Sequence, residues 1–424
     1  MAAVPALAAE QLPDGVYLNL PEQVYFAQDR LGSSDLIRLH QRREGWWWQS
    51  RHNPDKDLSQ SDAQNYGSAL HALLLEGVGV YADRFAVEPD WRTYPNLITS
   101  QKQLREVLND NGWVAEKGIS AWSAQQWWDA IELHAPGWRV KEQVQDEFKR
   151  RTATKTAADG TVLETKPSVS AVEDRMLRIM FDAATNPDRD DNAEVRQLLG
   201  VGTGFPVLAE VSVLFTCPWT GLKRRARWDK PVPRHTIDLK SLSGWKGTNL
   251  ALDIDGHIKR NGYDVQVGDQ HVSRILAYRM IAAAGERVLH GGTKDERAHM
   301  LAMVDRALPW DWGWLFYQKP DPSGIAPILF PVRDGWAGLY HTSGHRKAFR
   351  AIHLYRALVE KHGLATPWAR IERVHYADEE LAAAHDAPRI FLSHSGWDED
   401  PVPGEDDTLL ARELPRPAES ASIV

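Results

Sequence analysis

Arg227-Trp228-Asp229-Lys230-Pro231-Val232-Pro233-Arg234-His235-Thr236-Ile237-Asp238-Leu239-Lys240 is the stretch on which the reading of this chain turns. Over His235–Lys240 the apolar Ile237 and Leu239 alternate with Asp238 and Lys240, so a strand places the two charged residues together on one face. Pro231-Val232-Pro233 breaks the run. If the flanking strands form a hairpin about Pro233, Asp229 lies nearly opposite Asp238. Two carboxylates at about 5 Å repel by roughly 3 kcal/mol at an effective dielectric near 20. A compensating cation is therefore expected. Mg²⁺ suits, being hard, oxygen-seeking and able to keep waters that attack a phosphodiester, with Mn²⁺ as a substitute. Lys240 beside such an ion orients or deprotonates the water, or steadies charge on the phosphate. The plainer reading is a surface Asp–Lys pair; the strand context and the upstream Asp229 weigh for chemistry.

Working outward, period-two alternation begins upstream at Val207, Ala209, Val211, Val213 and Phe215, and a second strand spans Leu222–Asp229. That second strand carries Lys223-Arg224-Arg225-Ala226-Arg227. Cations on both of its faces suggest phosphate contact beside the proposed chemistry. Helical patterns follow at about Thr248–Lys259 and Tyr263–Ala284, then strands at Trp314–Gln318 and Ile328–Val332, then a helix near His345–His362. Earlier, Ser33-Ser34-Asp35 reads as a helix entry in which either serine or Asp35 supplies the cap. A second helix runs around Gly67–Glu76. Four segments result: residues 1–90, the N-terminal part of the catalytic domain; 91–205, a mostly helical insertion; 206–396, the catalytic core; and 397–424, an acidic, Pro-containing tail that reads as disordered.

The net charge of −8 argues against nucleic acid only at first sight. Residues 398–424 hold eight carboxylates against Arg412 and Arg416, so the rest of the chain is near neutral and basic clusters can still form on it. Cys217 is the only cysteine, which excludes an internal disulfide and a cysteine-based zinc site. No apolar run reaches the roughly 18 residues of a membrane span. The Ala-rich start, Met1 to Leu12, lacks the basic residues of a secretory signal and reads as a flexible leader, so a cytoplasmic location is expected.

The motifs resemble those of PD-(D/E)XK nucleases, and among them the RecE-type phage and prophage exonucleases. Asp229 followed by Asp238-Leu239-Lys240 matches the core motif, and Gly67 through His71, one helical turn apart, matches a Gly-xxx-His pattern. Ala209-Glu210-Val211-Ser212 matches an acidic strand, Gly262-Tyr263-Asp264-Val265-Gln266 a Gly-Tyr-x-x-Gln helix, and Phe316-Tyr317-Gln318 the late strand. The resemblance covers roughly residues 17–360. It departs at Trp228, where a proline is usual, and at Gln270, where members often carry tyrosine.

The resemblance implies an α/β fold in which a mixed central sheet bears the acidic cluster, with helices on either side. It implies a metal site of Asp229, Asp238 and the Leu239 carbonyl, approached by His71. Glu210 either binds the ion or supports a residue that does. Lys240 and Gln266 join the two aspartates as catalytic residues; Lys223, Arg224, Arg225, Arg227 and Tyr263 are candidates to contact DNA. The implied activity is 5′-to-3′ digestion of one strand of linear duplex DNA, in a homo-oligomeric ring that passes single strands to an annealing protein. A restriction-like endonuclease, or an end-binding scaffold without turnover, is the alternative. Trp46-Trp47-Trp48 reads as packing, with base stacking the alternative.

Overall fold

In the computed structural model the alternating stretches form two four-stranded sheets joined by a single residue. The structure describes residues 10–56, 62–113, 122–202, 204, 206–233, 235–242, 250–304, 311–318, 328–332 and 339–368. The first sheet contains β1 (Gly15–Leu18), β2 (Val211–Thr216), β3 (Lys223–Trp228) and β6 (Leu289–Gly291) in the order β6-β1-β2-β3. The second contains β4 (Lys230–Val232), β5 (His235–Leu242), β7 (Asp311–Gln318) and β8 (Ile328–Val332), in the order β4-β5-β7-β8. Neighbours are antiparallel except β1–β6 and β5–β7. Asp229 alone separates β3 from β4, so it belongs to the edge of both sheets.

Register then dictates which side chains meet. Val211 pairs with Trp228, so one step further Glu210 falls opposite Asp229. Lys230 pairs with Ile237, so one step back Asp229 falls opposite Asp238, as the hairpin reading expects. The first strand is shorter than its alternation suggests. It begins at Val211 because Glu210 adopts φ 52°, a left-handed conformation that ends the extended run.

Helices cover both faces of the second sheet. On one side, α3 (Asp62–His71), a π-helical turn (Ala72–Glu76), α5 (Ala171–Thr185) and α6 (Ala193–Leu199) pack Leu70, Leu73, Leu177 and Leu199 with Ile237, Leu239, Leu315 and Tyr317. On the other, α7 (Leu250–Asn261) and α8 (Tyr263–Ala284) bring Ile254, Ile258 and Val267 to Leu242, Trp314 and Phe316. The charged face of β5 is thus covered, and Asp238 is fully buried. A strand that reads half-solvated lies inside.

Two further helices pack with the start of α8: α2 (Ser33–Arg42), through Leu36 and Leu39, and α9 (Leu339–His362), through Ala348 and Ile352. The cap of α2 is Gly32, whose N–H donates to the Asp35 carboxylate at 2.9 Å, so neither serine takes that role. The other Asp35 oxygen accepts Trp46 Nε1 at 3.0 Å. Trp46 and Trp47 are buried and Trp48 is half-exposed, which fits the packing use of the three tryptophans. Helices α8 and α9 touch backbone to backbone. A Cβ on Gly344 would lie 1.7 Å from the Asp264 carbonyl oxygen, and one on Gly268 would lie 2.2 Å from the His345 nitrogen.

The insertion is smaller than residues 91–205. A separate apolar cluster, including Ile98, Leu104, Leu108, Trp127, Ile131 and Val140, forms beside the helices Gln101–Asp110 and Ala124–His134. From Ser168 onward the chain returns to the main body. A short strand there pairs with Ala86–Val87, and α5 and α6 pack on the second sheet. A helical period alone cannot tell a peripheral helix from one that completes a core. No described helix is long and apolar enough to cross a membrane. The tail 397–424 lies outside the described residues.

Candidate active site

The row Glu210–Asp229–Asp238 runs across the join between the sheets, and one residue from a helix closes it. His71, at the end of α3, points Nδ1 at Glu210 Oε1 (3.3 Å) and Nε2 toward Asp229 Oδ2 (3.8 Å). One ligand atom from each of His71, Glu210 and Asp229 lies within 4.8 Å of the others, the spacing of a group that can share one cation. Glu210 joins it from a left-handed backbone, φ 52°. For a residue with a Cβ that conformation costs roughly 1–2 kcal/mol, a strain typical of functional positions.

Asp238 stands behind this group. Its Oδ1 accepts Gln266 Nε2 at 2.7 Å, and its Oδ2 pairs with Lys240 Nζ at 2.6 Å. Lys240 also lies 5.1 Å from the centre of the Tyr263 ring, so Tyr263 packs beside the ammonium. Asp229 Oδ2 accepts the Leu239 N–H at 3.0 Å. Because a strand residue directs its N–H and C=O to the same edge, the Leu239 carbonyl also points to the Asp229 side. The structure therefore gathers His71, Glu210, Asp229, Asp238, Leu239, Lys240, Gln266 and Tyr263 into one locus.

Electrostatics follow from that crowding. Burial disfavours a charged His71, but Asp229 and the hydrogen-bonded Glu210 outweigh it and raise the imidazole to about 9. Burial works against a charged Glu210 too; its hydrogen bond to His71 and the charges of His71, Arg227 and Arg84 nonetheless hold it below the ordinary glutamate range. Burial pushes Asp238 up to about 7, with Asp229 adding to the effect and Lys240 and His71 opposing it. Lys240 is raised because Asp238 and Asp229 outweigh its own burial. At neutral pH the protonated His71 thus sits between two carboxylates, where a metal would sit. One nitrogen and several carboxylate oxygens at this spacing fit Mg²⁺ or Mn²⁺, and the imidazole favours the transition metal.

The basic strand corrects the sequence reading. Arg224 is buried in an ion pair with Asp269, and its Nε donates to the Leu31 carbonyl at 3.2 Å. Arg225 donates to the carbonyls of Tyr25 and Phe26, near the end of α1 (Glu22–Ala27), and to that of Gln28. Arg227 donates to Ser212 Oγ and the Leu20 carbonyl, and stacks 4.3 Å from the Tyr25 ring. These three guanidiniums organise the N-terminal segment, and of the four cations only Lys223 is exposed. Gln270 donates to the Arg227 carbonyl at 3.0 Å and supports the same strand.

Sequence reasoning missed Glu76. The π turn adds a residue to the helix, bringing Glu76 rather than Leu75 back toward the side of His71. Burial raises its carboxyl; Arg84 opposes that, Glu210 adds to it, and the charge of His71 also acts on it. No protein-family model matches the chain, and no curated protein is significantly similar to it.

Proposed function

We propose that this chain is a metal-dependent deoxyribonuclease of the PD-(D/E)XK type. The observation that carries the reading is the register-aligned row Glu210–Asp229–Asp238, with Lys240 on the last aspartate and His71 across the first two. A mixed sheet that bears this row between helical layers also supports it.

His71, Glu210 and Asp229 would hold Mg²⁺ or Mn²⁺, with Asp238 and the Leu239 carbonyl beside them. When bound, the ion would supply a Lewis acid for the phosphoryl oxygen and an acidified water. Lys240 would steady negative charge at the phosphate and hold the attacking water by its Nζ. Gln266 and Lys240 between them fix the orientation of Asp238. Tyr263 would shield one flank of Lys240 with its ring. By the family resemblance, the substrate is linear duplex DNA degraded 5′ to 3′ by a ring oligomer.

The test uses linear duplexes labelled at either end and a closed circular plasmid, with Mg²⁺, Mn²⁺ or EDTA. Release from 5′ ends with an intact circle is expected, and Asp238→Asn should abolish it while leaving DNA binding in place. Rapid linearisation of the circle would reassign the chain to an endonuclease. Cleavage that survives EDTA, or substantial activity in Asp238→Asn, would end the metal-nuclease reading.

A further inference from the structure

With Arg224, Arg225 and Arg227 engaged inside the protein, a polyanionic substrate would need another cation beside the candidate site. Arg84 is in the right place. It is the last residue of α4 (Val78–Arg84), a short helix that leaves the π turn at Gly77. Its guanidinium pairs with Glu76 Oε1 at 2.6 Å and approaches Glu22 Oε2 at 3.9 Å. Glu22 lies two residues from Leu20, whose carbonyl holds Arg227, and Arg227 in turn stands 3.6 Å from Glu210. Arg84 thus borders the segment that holds Arg227, and the charges of both arginines act on Glu210. Of these two arginines, Arg227 has a side chain 13% exposed and Arg84 one 41% exposed, so the second is the more open to a ligand.

We propose that Arg84 contacts the DNA phosphodiester next to the scissile one, and that Glu76 and Glu22 hold it in position until that phosphate takes their place. This rests on the nuclease reading above. The exchange is open to Arg84 because its guanidinium is already 41% exposed, and its contact with the exposed Glu22 is long, at 3.9 Å. The gain is that the planar guanidinium can meet two phosphate oxygens at once. The π turn has a role here. It keeps Glu76, the partner of Arg84, within electrostatic reach of His71; a regular helix would carry Glu76 further round.

Binding of a short fluorescent duplex in Mg²⁺ tests this, measured by anisotropy across a salt series in the cleavage-deficient Asp238→Asn protein. Arg84→Ala should weaken binding about tenfold or more and lower the slope of log K against log salt by about one. Arg84→Lys should restore the slope but only part of the affinity. Glu76→Gln should tighten binding, because the competing carboxylate is gone. Unchanged affinity and slope in Arg84→Ala would overturn the proposal while the parent still cuts DNA. A parent that neither binds nor cuts DNA would overturn the nuclease reading, and this inference with it.

Discussion

Two sets of buried charges lie close together in this protein, built from β3, β5 and one helix, α8, and they are resolved in opposite ways. In one, Arg224 pairs with Asp269, whose second oxygen accepts Ser33 Oγ at 2.7 Å, while the arginine Nε satisfies a carbonyl. One positive charge meets one negative charge, and each has further partners. In the other, Glu210, Asp229 and Asp238 face the Lys240 ammonium, the Arg227 guanidinium 3.6 Å from Glu210, and an imidazole that must be protonated to help. A balanced buried pair, fully hydrogen-bonded, holds elements together. Carboxylates stacked by register, reached through a strained backbone and balanced only when an imidazole takes up a proton, form a group that could hold a cation. Asp269 and Gln266 are three residues apart on α8, so proximity in sequence does not separate the two kinds of charge.

The sharpest way to break this contrast is to remove one cation from each set. Lys240→Ala should fold and lose roughly 10²–10⁴-fold in single-turnover cleavage rate, as for a positioned charge-stabilising or acid–base group. A rate within a few-fold of the parent would make Lys240 a structural pair like Arg224. The converse change is Asp269→Ala, which strands Arg224 in the interior. Denaturant melts should then show a loss of about 3–5 kcal/mol, with the rate per folded molecule little changed. If instead the melt holds and the rate collapses, the two sets are not distinct.

The hairpin about Pro233 and the shared face of Asp238 and Lys240 were legible, because period-two alternation fixes which side chains are neighbours; the strands Gly15–Leu18 and Leu289–Gly291, and the order of both sheets, were not. The fate of the arginines was not. Nothing in Lys223-Arg224-Arg225-Ala226-Arg227 reveals that carbonyls of the N-terminal segment and Asp269 will lie over them. Glu210 was readable as an acidic strand residue but not as a left-handed one, because a local strain is held by distant packing. Glu76 was hidden for a different reason: a π turn inserts one residue into a helical period that sequence reading takes as uniform.

A finer test concerns the proton on His71. Its folded value, about 9, lies above that of an ordinary histidine. The metal-free protein therefore keeps the stabilisation from this charge below about pH 6.5, and loses it as pH rises through 9. A metal that uses the imidazole must displace the proton. Calorimetric Mn²⁺ affinity should then rise about tenfold per pH unit between about pH 7 and 9 and level off above, with proton release on binding. A flat profile would show that His71 is not a ligand. The smallest effect is expected from Glu210→Asn, since asparagine accepts the left-handed region more readily than glutamate. Metal-free thermal stability should stay equal to the parent's or rise by up to about 1 kcal/mol, while Mn²⁺ binding weakens. A marked fall in the melting transition would place Glu210 with the structural charges instead.

The crossing of α8 and α9 has a consequence for how this chain can diverge. At Gly344 a Cβ would sit 1.7 Å from a backbone oxygen, and at Gly268 2.2 Å from a backbone nitrogen, so no rotamer change in a neighbour can make room. Surface residues can drift and core residues can exchange volumes, but these two positions admit no side chain unless both helices move apart. They are locked to each other across 76 residues of sequence, and α8 also carries Gln266 to Asp238. In descendants too distant to share other residues, a glycine two places after the site glutamine and another well downstream should persist together. That pair is a signature imposed by steric geometry rather than by catalysis, and it would survive even in lineages whose acidic row had decayed.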